Sequence, residues 1–248
     1  MRYFLRHVYQ QSRNLLEACL PSRCLLCHLS SNQSLICQYC YSAILTERPC
    51  CLHCGCGLVN SQDFCGECLK HPFYFQQLHA IASYQSPFPE LIKQLKYNNQ
   101  LLYADLLGLL LASSIKQRYT AEQLKEIDFI IPVPLHITKQ RKRGFNQAQL
   151  IVDALIKHLP LPTIVNTPLI RNKLTHAQEG LNRKQRTSNL KHAFSLSEQS
   201  SIALKGKYIV LIDDVVTTGA TINSLCQCLL AADVSRIDVW CICRTELG

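Results

Sequence analysis

Residues 209 to 221, IVLIDDVVTTGAT, set Asp213 and Asp214 at the end of an apolar run and follow them with Val215, Val216, Thr217, Thr218, Gly219, Ala220 and Thr221. A strand that ends in two acids, a short turn rich in hydroxyls and a glycine at a helix start bring backbone N–H groups and the positive end of a helix to one point. The turn is suited to one phosphate, and the carboxylates just upstream are suited to the hydroxyls of a sugar attached to it. Such a strand could instead be the magnesium-holding strand of a nucleotide hydrolase. The chain, however, contains no G-x-x-x-x-G-K-[ST] loop to cradle a triphosphate. A plain helix-capping role for one aspartate leaves the second acid and the T-T-G-A-T run without a purpose.

A second chemistry lies near the amino terminus. Ten of the fifteen cysteines fall between Cys24 and Cys68. They include four C-x-x-C pairs: Cys24 with Cys27, Cys37 with Cys40, Cys51 with Cys54, and Cys65 with Cys68. A C-x-x-C turn aims two thiolates at one ion, and two such turns complete the tetrahedral shell that zinc prefers. The expectation is two structural zinc sites, each closed by four cysteines and so without an open position for chemistry. Gly55 and Gly66 suit the turns, Cys50 and Cys56 are extra, and His28 and His53 lie close enough to replace a ligand. Spacing leaves open whether the pairs combine in sequence or cross-brace. A secreted disulfide scaffold is disfavoured, because such scaffolds are short and this chain has 248 residues. Cys226, Cys228, Cys241 and Cys243 read as small apolar core residues.

Charge is concentrated as well. The chain is +9 overall, and residues 138 to 207 hold thirteen of its 26 Lys and Arg but three of its 17 Asp and Glu, so the whole excess lies there. TKQRKRGFNQ and RNKLTHAQEGLNRKQR carry the densest clusters, an electrostatic footprint for phosphate groups.

Positioning these groups requires strands that alternate with helices. DFIIPVPL at 128 to 135, KYIVLID at 207 to 213 and RIDVWCIC at 236 to 243 read as strands, with a further strand near Ala80 to Tyr84. Helical periodicity covers Leu101 to Tyr119, 145 to 159 and 219 to 231, while Pro87 and Pro89 signal a turn. This alternation predicts an α/β fold with a mainly parallel sheet, and the aspartate turn would stand at its carboxyl edge, where open α/β sheets bind ligands. The expected organisation is an amino-terminal helix at 1–19, a double zinc-ribbon domain at 20–72 and the α/β domain at 78–248. The longest nearly uncharged run, Leu106 to Ile115, is too short for a membrane span, and charges interrupt the amino-terminal apolar residues, so a cytoplasmic location is expected.

IVLIDDVVTTGAT closely resembles the phosphoribosyl-pyrophosphate (PRPP) binding motif of type I phosphoribosyltransferases. With the cysteine-rich amino terminus, IPVPL, RKRGFNQAQL, LTHAQEGLNRKQRTSNLKHAF and the closing VWCICRTEL, nearly the full length is similar to the ComF family of competence-associated proteins. The resemblance implies a type I phosphoribosyltransferase-like sheet, Asp213 and Asp214 on the ribose hydroxyls, and Thr217 to Thr221 around the 5-phosphate. It implies that Val133 and Pro134 contact pyrophosphate, with Arg141, Arg143, Asn146 and Gln147 supplying further anion contacts. Thr175, Gln178, Arg183, Arg186 and Asn189 would form a mobile loop over the site. Magnesium would accompany PRPP, and the implied role is DNA uptake and handling of single-stranded DNA, with an uptake translocase or helicase as partner. An active phosphoribosyltransferase is the alternative, although no stretch picks out an acceptor base.

Overall fold

In a computed structural model the chain forms two compact units, residues 1–46 and 47–248. The residues described are 23–31, 34–46, 48–59, 63–159, 161, 169–171 and 194–246. The amino-terminal helix expected at 1–19 lies outside them.

In the first unit, Cys24 begins a tight turn closed by His28 N–H on Cys24 O at 2.9 Å, and helix α1 (Gln38–Ile44) follows Cys37. The second unit opens with the other two C-x-x-C turns and the short helix α2 (Gly66–Lys70). The second cysteine quartet thus belongs to the same unit as the sheet.

Four parallel strands form that sheet, in the order β1, β6, β5, β2. They are β1 (Gln77–Ser83), β2 (Phe129–Pro132), β5 (Tyr208–Val216) and β6 (Arg236–Arg244). A small antiparallel pair, β3 (Leu169–Arg171) and β4 (Phe194–Leu196), stands apart from it. Parallel strands need helical crossovers and are covered on both faces, which is why β5 and β6 read as continuous apolar runs.

The helices supply that cover. They are α3 (Phe88–Asn98), α4 (Leu102–Arg118), α5 (Ala121–Lys125), α6 (Ile137–Arg143), α7 (Gln147–Leu155), α8 (Glu198–Leu204) and α9 (Ala220–Leu230). Helix α4 approaches α7 so closely that a Cβ on Gly108 would lie 2.4 Å from Ala154 Cβ, so any larger residue would push the two helices apart. Pro87 and Pro89 open α3 rather than only marking a turn, because proline is tolerated in a helix's first turn, where N–H groups lack intrahelical partners. The described strands and helices fit the α/β architecture read from the sequence.

The two ends of the sheet differ in chemistry. At the amino end, the buried Asp238 carboxylate accepts from Tyr208 Oη at 2.6 Å and Gln77 Nε2 at 2.7 Å, and pairs with Arg236 at 3.0 Å. These bonds satisfy the Asp238 carboxylate, with the Arg236 side chain reaching it from the surface. The carboxyl end gathers Pro134, Asp214 and the threonine turn.

Candidate functional site

Strand β5 runs farther than the apolar pattern suggests. It passes through both acids to Val216, pairing Asp213 with Cys241 and Val216 with Arg244 of β6. Main-chain pairing with a long neighbour extends the strand past the point where apolar side chains end. Successive side chains leave opposite faces of a strand, and Asp214 is the acid met by α3 and α7. Its Oδ1 accepts from Gln147 Nε2 at 3.1 Å, and its Oδ2 pairs closely with Lys96 Nζ. Asp213 Oδ1 accepts the Asp214 N–H at 2.9 Å.

The two carboxyls are driven apart in protonation. Burial and the adjacent Asp214 charge push Asp213 well above the usual carboxylate range. Burial would raise Asp214 too, but the Lys96 ammonium and the Gln147 amide outweigh it and hold Asp214 below its ordinary value. Lys96 responds in kind: the acids overcome the cost of burying it and raise its pKa. Of the two acids, Asp214 is therefore the one whose charge is favoured, and Lys96 is its counter-charge.

Lys96 was not among the residues singled out from the sequence. A signal was present, since Phe88, Ile92 and Lys96 lie four residues apart on one face of α3, and Phe88 and Ile92 are buried. A lysine continuing an apolar row points into the protein. The proline-rich start of α3 hid that helix and, with it, the row.

After Val216 the chain turns through Thr217 and Thr218 to Gly219, which caps α9 with φ 75°. Only glycine adopts this conformation without strain, and a Cβ here would also lie 2.7 Å from the Phe73 ring. Gly219 has no side chain with which to cap α9, so the positive end of this eleven-residue helix stands directly behind the threonine turn. Thr218 Oγ1 receives a long bond of 3.4 Å from Ala220 N–H.

On the neighbouring strand, Val133 N–H continues the ladder to Ile212 O at 2.8 Å, and both Val133 and Pro134 are buried. Asn146 caps α7 by accepting from Ala148 N–H at 3.1 Å and donates to Val133 O at 3.0 Å, which ties this helix to the VPL turn. Gln147 bridges Asp214 and the Arg143 guanidinium, whose Cζ lies 5.6 Å from the centre of the exposed Tyr97 ring. Asn146 and Gln147 thus spend their amides on positioning the site within the protein. Arg141 and Lys142 are exposed on the last turn of α6, where the negative helix end favours cations. Thr175, Gln178, Arg183, Arg186 and Asn189 lie outside the described residues.

The cysteines form two groups whose ligand atoms each lie within 4.8 Å of one another: Cys24, Cys27, Cys37 and Cys40, and then Cys51, Cys54, Cys65 and Cys68. The C-x-x-C pairs combine in sequence rather than cross-bracing, and either group could hold zinc, whose soft tetrahedral preference matches four sulfurs. In each group one thiol is primed for ionisation. Burial opposes it, but backbone N–H donors prevail and lower Cys24 to about 6 and Cys51 to about 7. His53 is not needed as a ligand, because its Nε2 hydrogen-bonds with Phe75 O at 2.8 Å. Cys226, Cys241 and Cys243 are buried in the core, and Cys228 is partly buried against it.

Comparison with known proteins matches this arrangement. Residues 142–246 match the phosphoribosyl transferase domain family. Competence protein F of Haemophilus influenzae (strain ATCC 51907 / DSM 11121 / KW20 / Rd) is 35% identical over 90% of this chain and 96% of its own. DNA utilization protein YhgH of Shigella flexneri is 34% identical over 91% of this chain and 98% of its own. Among solved structures, the glutamine PRPP amidotransferase of B. subtilis aligns at 19% identity and a TM-score of 0.33, over 56% of this chain and 25% of that one. Full-length identity of this order, together with a phosphoribosyltransferase-type parallel sheet and paired cysteine clusters, shows that the chain belongs to the ComF family of competence proteins.

Proposed function

We propose that this protein handles single-stranded DNA during natural transformation and holds a phosphoribosyl ligand, PRPP or ribose 5-phosphate, at the carboxyl edge of its sheet. The observation that carries the ligand reading is Asp213 and Asp214 on β5 immediately before the Thr217–Thr218–Gly219 turn and the amino-terminal end of α9. In this reading, the acids bond the ribose hydroxyls and the turn surrounds the 5-phosphate. Lys96 must then yield Asp214 to the sugar. Its released ammonium would lie beside the ligand's anionic groups, with Arg143 close by. The two cysteine groups are read as structural zinc sites.

Magnesium is the ion that the phosphoribosyltransferase fold implies. Asp213, Asp214 and the nearby threonine hydroxyls offer only hard oxygen donors, too few for a complete cage, which suits magnesium shared with a ligand. Bound with PRPP, it would neutralise charge on the pyrophosphate. The chain's own part is to hold the sugar and phosphate and to place cations around them.

The DNA reading rests on the family's competence members and on the basic stretch that begins with Lys139, Arg141, Lys142 and Arg143. An uptake translocase or helicase is the partner class we assign to it. The second reading, an active phosphoribosyltransferase, is favoured by the intact acid pair with its lysine counter-charge. In that case the bond from the ribose anomeric carbon to pyrophosphate breaks, and an acceptor nitrogen forms the new one.

Calorimetric titration with ribose 5-phosphate, and with PRPP plus magnesium, tests the pocket. Saturable binding that disappears in Asp213→Ala/Asp214→Ala is expected, and equal binding by this variant would overturn the site. Incubating PRPP, magnesium and a pool of bases separates the readings, because pyrophosphate release would establish catalysis.

A further inference from the structure

We infer that Arg244 is the positioning residue of the phosphate turn, and that through it the turn's geometry depends on the metal in the second cysteine group. Arg244 ends β6 and is 2% exposed. No carboxylate pairs with it among the described residues. Its guanidinium donates to main-chain carbonyls instead: Nε to Cys54 O at 2.9 Å, and Nη1 to Val216 O at 3.0 Å, to Thr217 O and to Thr245 O at 3.2 Å. One buried cation thus joins a carbonyl of a metal-ligating turn to the two carbonyls that open the phosphate turn.

The consequence follows from peptide planarity. In a trans peptide the C=O and the following N–H point in opposite directions. With the carbonyls of Val216 and Thr217 held toward Arg244, the N–H groups of Thr217 and Thr218 are turned away from it, to the side where an anion would be gathered. Arg244 therefore aims donors without touching the ligand. This step rests on the phosphate reading of the turn, whereas the link to the cysteines does not.

The cysteine side of the link is equally definite. Cys54 belongs to the group with Cys51, Cys65 and Cys68, and its turn is closed by Gly55 N–H on Cys51 O at 2.9 Å. Leu78 N–H donates to His53 O at 2.8 Å, which docks β1 onto the same turn. A second route runs through the segment after the last cysteine. Phe73, stacked on Phe75 with ring centres 4.9 Å apart, abuts Gly219, and Tyr74 N–H donates to Asn223 Oδ1 at 2.8 Å in α9. A divalent ion on four thiolates carries a net charge of −2, which supplies a counter-charge near a guanidinium that otherwise has only neutral acceptors. Losing the metal releases the Cys54 turn and removes that charge, and both changes free Arg244 from its place.

Hydrogen exchange of the full chain, read on residues 215–221, tests the link without any ligand. Zinc-loaded wild type, the same protein after chelation, and Arg244→Gln would be compared, with Cys24→Ser as the control that empties only the first group. Chelation and Arg244→Gln are expected to speed exchange in 215–221 by about tenfold, the size of a modest coupling, with Ile209 to Ile212 still protected and the control unchanged. Arg244→Lys should recover only part of the protection, since an ammonium cannot span these carbonyls. Unchanged exchange in 215–221, or an equal rise across Ile209 to Ile212, would overturn the proposal. In parallel, saturating ribose 5-phosphate should slow zinc release from one site in wild type but not in Arg244→Gln. If the wild type binds no ribose 5-phosphate while the exchange link holds, the phosphate reading falls and the Arg244 link stands.

Discussion

Asp213 and Asp214 are neighbours in sequence with opposite electrostatic fates, and the difference is Lys96. For Asp214, with a lowered folded pKa, the stabilisation is present above the unfolded carboxylate value and is lost as pH falls through the folded one. For Asp213 the sign is reversed: its folded pKa is raised, so stability declines as pH rises above the unfolded value. Asp213→Asn, which keeps an oxygen to accept the Asp214 N–H, should therefore raise stability at pH 8 by about 1 kcal/mol while abolishing ribose 5-phosphate binding. Thermal melts and titration of the same sample check both halves. Lys96→Met should do the opposite to the fold, costing about 3 kcal/mol at neutral pH because it leaves a buried carboxylate without its cation. Gly219→Ala would meet both the positive φ and the Phe73 ring, and weakened phosphate binding with zinc content unchanged is its expected signature.

Helix α4 and strand β1 show how an element is fastened to the sheet with a polar contact in the core. His79 Nε2 hydrogen-bonds with Ser114 Oγ at 2.8 Å, and burial, helped by Arg118, lowers the His79 pKa to about 4. Its neutral form is the folded one, so the unfolded chain binds more protons between pH 4 and its ordinary value of 6.5. Stability should be fully present above 6.5 and fall as pH drops toward 4, by about 3 kcal/mol for this residue. Urea midpoints across that range would show the fall, and His79→Gln should flatten it. Elsewhere, Asn146 works at the same scale, capping α7 and gripping Val133 O, so that a helix start sets the position of the VPL turn.

For the whole molecule, the cysteine groups and the basic stretch set the expectations. Two zinc ions per chain should be found by elemental analysis, and Cys51→Ser should lose one of them. Affinity for a labelled single strand should fall steeply with salt, and Arg141→Ala/Lys142→Ala should lower the slope of log affinity against log salt by about 1.4. An unchanged slope would remove α6 from the DNA path. No helix among the described residues is long and apolar enough to cross a membrane.

The sequence by itself determined the α/β alternation, the four C-x-x-C pairs, the acid pair with its threonine turn, and the place of the charge excess. Each of these is carried along the chain itself, as a period, a spacing or a cluster within one continuous segment. Tertiary structure decided what depends on distant segments meeting. It carried β5 through both acids, because β6 is long enough to pair with them. It moved the pKa values of the two acids in opposite directions, because a lysine more than a hundred positions earlier reaches one of them. It joined the second cysteine group to the threonine turn, because Arg244, near the far end of the chain, bonds to both. Hydrogen bonds and buried charge act across space without regard to sequence separation, so no window along the chain could have displayed them.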